Sequence, residues 1–239
     1  LNKKPARFGI ELVDLAEGRS EVICEYEDLH NPHPQFDRHE GRQILVQHNR
    51  GAEYDDEGLP VKGRGKAGVG LFLVDVNGNV SPLEVGLPYT ADLTGHQCWL
   101  GTTGEILTTA NPAGDYPYFV VAGVREGEAH RVVARIECPS GGGHIGSPPH
   151  GEFYTVDRSS KIGGGVFVGS PRSGQLVKVC ETSSTGVENK WGQSGHAHAY
   201  LTPDLSKVVF NSLANGSPQI FMATVPPSLI ESLDPTFRQ

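Results

Sequence analysis

The densest group of potential cation ligands lies in Trp191-Gly192-Gln193-Ser194-Gly195-His196-Ala197-His198-Ala199-Tyr200. In an extended chain, side chains two apart point the same way, so His196 and His198 are expected to offer both imidazoles to one ion. A turn at Ser194-Gly195 would bring the Gln193 amide oxygen alongside. Adding His96 gives three neutral nitrogens and one oxygen, with coordination positions left for water or substrate. Imidazole suits zinc, copper, iron and nickel; the amide oxygen and open positions shift the preference toward a harder divalent ion such as Mn2+. With no thiolate or carboxylate in the set, the ion would keep its full charge for an anionic ligand. A His-x-His pair alone describes two packed strand residues equally well, so the case rests on how the other histidines recur.

Stretches beginning with His recur along the chain at intervals of roughly 50 to 60 residues, each passing through a turn into a strand-like run. They open at His33-Pro34, His96-Gln97-Cys98-Trp99, His144-Ile145 and His198-Ala199-Tyr200-Leu201. Between them lie alternating apolar runs joined by Gly turns at Glu17-Gly18, Asn77-Gly78, Glu126-Gly127 and Ser173-Gly174. Such turns between alternating runs are hairpin signals. A four-stranded unit repeated at this period predicts an all-β fold, a β-propeller. The expected units are 1–28 (the end of a blade), 33–91, 96–138, 144–183 and 191–226, all in one domain, with 227–239 as a tail holding a helical turn or two. Blade-entry residues of a propeller gather at one mouth of its channel, so His33, His96, His144 and His198 are expected to converge. His144 is assigned to substrate contact. Arg50, after His48-Asn49, is a candidate for a bidentate carboxylate contact. Arg172 sits in a turn, Ser170-Pro171-Arg172-Ser173-Gly174, from which it could reach the channel mouth.

Composition narrows the classes further. With 31 Gly, 17 Pro and one Met among 239 residues, helical bundles and coiled coils are excluded. A net charge of −8 without a Lys/Arg cluster argues against a nucleic-acid partner. No apolar run is long enough for a membrane-spanning helix. Cys24, Cys98, Cys138 and Cys180 are far apart and form no Cys-x-x-Cys, so buried thiols in a reducing compartment are expected rather than disulfides or zinc. The chain begins at Leu1, and Leu1-Asn2-Lys3-Lys4 does not resemble a secretory signal. A cytoplasmic location is expected, with the periplasm or export open because the native start is expected upstream.

The sequence resembles the oligogalacturonate lyases, seven-bladed propeller enzymes that complete pectin breakdown. The matching pieces are His33-Pro34 with His48-Asn49-Arg50-Gly51, Gly95-His96-Gln97-Cys98-Trp99, Gln193-Ser194-Gly195-His196-Ala197-His198 and Pro218-Gln219-Ile220-Phe221-Met222-Ala223-Thr224-Val225-Pro226. The resemblance implies that Gln193, His196, His198 and His96 are manganese ligands and that His33 is the catalytic base. Arg7 is the nearest candidate for the family's arginine. The insertion at 51–70 and the run Gly141-Gly142-Gly143 depart from the pattern.

The implied reaction is β-elimination on an acidic oligosaccharide, an oligogalacturonide. The uronate carboxylate acidifies the C5 proton, a divalent ion on that carboxylate acts as a Lewis acid, and an imidazole takes the proton near neutral pH. Two alternatives share the fold: a non-catalytic binding propeller, and a metalloenzyme acting on another uronate. At this repeat length 239 residues supply about four to five blades of the seven that the resemblance implies. The expectation is therefore a C-terminal part of a longer enzyme, able to bind metal but not expected to show full activity by itself.

Overall fold

A computed structural model describes residues 8–111, 117–124, 129–136, 143–158, 164–183 and 195–237. It is almost entirely antiparallel β-structure and divides into two compact units, the first ending at Gly95 and the second beginning at His96.

In the first unit, β1 (Phe8–Asp14) and β2 (Arg19–Tyr26) pair through the turn that carries Gly18 at a φ of 63°. A four-stranded sheet follows in the order β3 (Gln35–Phe36), β4 (Gln43–Asn49), β7 (Val69–Asp75) and β8 (Val80–Gly86). Between β4 and β7 the insertion forms a separate hairpin of β5 (Glu53–Tyr54) and β6 (Pro60–Lys62). Alternate residues of β4 and β7 serve different faces. Ile44, Val46, Phe72 and Val74 pack with Ile10, Cys24 and Leu29, while Leu45, Leu71 and Leu73 are buried as well. Because both faces are covered, these central strands read as continuous apolar runs rather than alternating ones.

The second unit carries three consecutive sheets, and the boundary between units falls inside the first strand of the first one. That sheet runs β9 (Leu93–Trp99), β10 (Glu105–Ala110), β11 (Tyr118–Gly123) and β12 (Arg131–Arg135). The next runs β13 (Ile145–Gly146), β14 (Tyr154–Arg158), β15 (Gly165–Gly169) and β16 (Leu176–Cys180). The last has β17 (Tyr200–Leu201), β18 (Lys207–Ser212) and β19 (Gln219–Thr224), followed by helix α1 (Pro227–Leu233). Consecutive strands pair in chain order within each sheet, which is how a propeller blade is built.

Neighbouring sheets bury apolar faces against each other. Leu107, Phe119 and Val121 pack with Tyr154 and Val156, joining the first and second sheets. Val166 and Val168 pack with Leu201, Val208 and Phe210, joining the second and third, and Ile230 and Leu233 of α1 close that core. Full burial of one such side chain contributes roughly 1.5–3 kcal/mol. Pro227 starts α1, where its missing N–H costs nothing. Among the described residues no helix is long and apolar enough to cross a membrane, and no disulfide forms.

Candidate metal centre

The second and third sheets of the second unit bring three histidines together. His144 immediately precedes β13, and His196 and His198 lie in the segment leading into β17. One ligand atom from each lies within 4.8 Å of the others. The His144 and His198 rings stack with centroids 3.6 Å apart and planes at 28°. His196 stands 4.9 Å from His144 and 5.9 Å from His198 by ring centroid. His196 and His198 are exposed and His144 is partly buried, so the cluster is open to solvent on one side.

Local backbone explains how the segment is held. Residues 195–199 are not a strand, and His198 has a left-handed φ of 44°. The two-residue alternation nonetheless holds: Ala197 and Ala199 are buried while His196 and His198 face out. On one side, the Asn211 N–H of β18 donates to the Ala197 carbonyl at 2.7 Å. On the other, Thr155 and Asp157, two apart on β14, reach across from the preceding sheet. Thr155 Oγ1 donates to the Ala199 carbonyl at 2.6 Å, and the His198 N–H donates to Asp157 Oδ2 at 2.7 Å. A Cβ at Gly195 would lie 2.4 Å from Leu213 Cδ1, so a side chain there would collide with the packing beneath the segment.

Asp157 is the ionisable group that the sequence reading missed. It is 5% exposed and also accepts the His144 N–H on Oδ1 at 2.7 Å, while His144 Nδ1 lies 3.1 Å from Oδ2. Burial by itself raises its pKa, but hydrogen bonding from the His144 ring, the charge interaction with that ring and the two backbone N–H groups outweigh it. The net effect holds the carboxyl below its ordinary value. A signal was present in Phe153-Tyr154-Thr155-Val156-Asp157: an acidic residue inside an apolar strand run requires donors.

The residues singled out from the sequence fall in different places. The clustered trio contains His144, expected at the substrate, rather than His96, expected on the metal. The reason is sheet order. His144 enters the sheet that packs directly on the one carrying His196 and His198, whereas His96, on β9, belongs to the sheet before. His96 reaches the cluster's edge, its ring T-shaped against His144 at 4.8 Å. Gln193 and Arg7 lie outside the described residues.

His33 is in the first unit, between Pro32 and Pro34, with a left-handed φ of 42°, and the Pro32 carbonyl accepts the Gln47 N–H at 2.8 Å. Arg50 directs Nη2 to the carbonyls of Ala67 and Leu87, so part of its donor fork is committed to the protein itself. Arg172 is also engaged locally: Nη1 donates to Thr236 Oγ1 at 2.9 Å and lies 3.5 Å from Asp234 Oδ2. His48, in the His48-Asn49-Arg50 stretch, pairs with Asp28 at 2.7 Å and packs on Tyr26 and Phe72, which is a structural arrangement.

Three imidazoles with solvent on one side, one of them backed by a carboxylate, form a donor set that fits a divalent transition-metal ion. Consecutive antiparallel sheets of three or four strands with such a cluster define a propeller-type fold with a candidate metal centre. No family model matches the sequence, and the comparison with curated proteins finds no match. Among solved structures, the chain is similar to an oligogalacturonate lyase in complex with manganese, with a TM-score of 0.70 and 19% identity, over 93% of this chain and 55% of that one. It is similar to the oligogalacturonate lyase of Vibrio parahaemolyticus with a TM-score of 0.68 and 20% identity, over 91% and 54%. It is also similar to a putative TolB from Agrobacterium tumefaciens, with a TM-score of 0.61 and 14% identity, over 90% and 65%. The chain thus spans about half the length of the lyases it matches, and at these identities the likeness establishes the propeller fold.

Proposed function

We propose that this chain belongs to a metal-dependent lyase that cleaves oligogalacturonides by β-elimination. The observation that carries this reading is the trio His144, His196 and His198, with donor atoms within 4.8 Å of one another. It sits on a fold shared with a lyase that binds manganese. The motifs that resemble the lyase family, above all Gln193-Ser194-Gly195-His196-Ala197-His198, support the same reading.

In this proposal His144, His196 and His198 hold a Mn2+ ion, with Gln193 as an oxygen donor. His96, beside His144 but outside the trio, takes the place at the substrate that the sequence had given to His144. When bound, the ion supplies Lewis-acid polarisation of a uronate carboxylate. His33 accepts the C5 proton. The electron pair left at C5 forms the C4–C5 double bond, the C4–oxygen bond breaks, and the departing sugar oxygen takes a proton from water. The backbone at Pro32, His33 and Pro34 restricts where that imidazole points.

The test is the ultraviolet absorbance of the conjugated 4,5-unsaturated uronate when the intact enzyme that contains this chain is given digalacturonate and Mn2+. A metal-dependent rise is the expected result. Saturable Mn2+ uptake with digalacturonate left intact would overturn the lyase reading in favour of a binding propeller.

A further inference from the structure

A single buried carboxylate connects two of the three clustered histidines. Asp157 Oδ1 accepts the backbone N–H of His144 at 2.7 Å, and Oδ2 faces that residue's Nδ1 at 3.1 Å. The same Oδ2 accepts the backbone N–H of His198 at 2.7 Å, across 41 positions of sequence and from a different sheet. We propose that Asp157 is the positioning residue of the metal centre, setting the tautomer of His144 and the backbone of His198 so that both imidazoles face one cation. This rests on the metal reading above.

The argument for His144 is donor and acceptor accounting. An ionised carboxylate only accepts, so the nitrogen facing it, Nδ1, must carry the proton. A neutral imidazole has one N–H and one lone pair, and the lone pair is then on Nε2, available to a metal. Carboxylate–imidazole–metal relays of this kind orient the ring and raise the basicity of the ligating nitrogen.

The argument for His198 is conformational. A φ of 44° is sparsely populated by residues with a Cβ and persists only where the surroundings hold it. The hydrogen bond to Asp157 is a direct hold on that residue's own amide.

A Cβ on Gly143 would fall 1.9 Å from both the carbonyl oxygen and Oδ1 of Asp157. Only glycine lets the chain before His144 approach Asp157 closely enough for both bonds to form.

The experiment uses the 239-residue chain, metal-free and with Mn2+. Long-range 1H–15N spectra of the metal-free protein should show His144 as the Nδ1–H tautomer. Asp157→Asn places an amide donor among donors, and should convert His144 toward the Nε2–H form and weaken Mn2+ binding by about 10- to 100-fold in calorimetric titration. An Nε2–H tautomer in the wild type would overturn the proposal without any variant, which covers the case in which Asp157→Asn fails to fold. Wild-type Mn2+ uptake matched by Asp157→Asn within about threefold would overturn the role of Asp157 and leave the metal reading standing. A wild-type chain that takes up no Mn2+ would overturn the metal reading and this proposal with it.

Discussion

The imidazole of His144 lies flat against that of His198, 3.6 Å between centroids, although 53 intervening residues and a complete four-stranded sheet separate them in the chain. Two side chains of a metal-ligating type are thus brought into contact by the packing of one sheet on the next. This contact makes His144, and not only the His-x-His pair, the subject of the first prediction.

Replacing His144, His196 or His198 with Ala should each weaken Mn2+ binding by more than about 100-fold, exceeding the loss expected for an outer-shell group. Isothermal titration of the folded variants checks this. His96→Ala should have the smaller effect, since its ring borders the trio from the β9 side. Equal losses for His96→Ala and His144→Ala would restore His96 to the ligand set.

His33→Ala should leave Mn2+ affinity unchanged and abolish formation of the unsaturated uronate. Parallel calorimetry and absorbance measurements separate the two effects. Metal loss in this variant would mean that His33 is a ligand and not the base.

Gly143→Ala should destabilise the protein by roughly 1–3 kcal/mol, the usual range for forcing a group into filled space. The added carbon has nowhere to go without displacing Asp157, so Mn2+ affinity should fall as well. Denaturant unfolding and titration of the same variant give both numbers.

Asp37 predicts how the first unit responds to acid. Its Oδ1 accepts the N–H groups of His39, Glu40 and Gly41, and Oδ2 those of Arg42 and Gln43, closing the turn between β3 and β4. Burial raises its pKa, the backbone donors lower it by more, and the net shift is downward. A carboxyl with a lower pKa folded than unfolded stabilises the fold fully above its unfolded pKa, and that contribution disappears as pH falls through the folded pKa. Asp37→Asn should therefore lower the melting temperature at neutral pH, with the difference from wild type shrinking in acid below the ordinary carboxylate range.

Arg50→Met should destabilise the protein by about 1 kcal/mol, because it removes the Nη2 hydrogen bonds to the carbonyls of Ala67, which is exposed, and Leu87, which is partly buried. Denaturant unfolding measures this directly. An unchanged midpoint would return Arg50 to the role of a carboxylate-binding residue.

Much of this fold can be read from local chemistry. The β1–β2, β7–β8 and β15–β16 hairpins follow from strand-like runs joined at Gly18, Gly78 and Gly174, all three at positive φ. The turn at Glu126-Gly127 lies outside the described residues. His196 and His198 are legible as a pair because residue type and two-residue spacing suffice. The role of His144 is not legible in the same way, since it depends on which sheet packs on which. Nor is the left-handed backbone at His198, which answers to a carboxylate far upstream in sequence. Arg50 illustrates the same limit: its type suggests a carboxylate partner, but carbonyls 17 and 37 positions away take up its Nη2.

The left-handed backbone has a consequence for protein engineering. His33 and His198 are two of the four non-glycine residues described with positive φ, the others being Asn31 and Leu205. Glycine at either histidine would relax the torsion, an exchange that often gains a few tenths to about 1 kcal/mol when the native conformation disfavours a side chain. Selection for heat resistance alone would thus favour losing the two imidazoles on which the proposed chemistry depends, trading catalytic competence for durability. A screen for hardier variants of this protein should score metal uptake in every round.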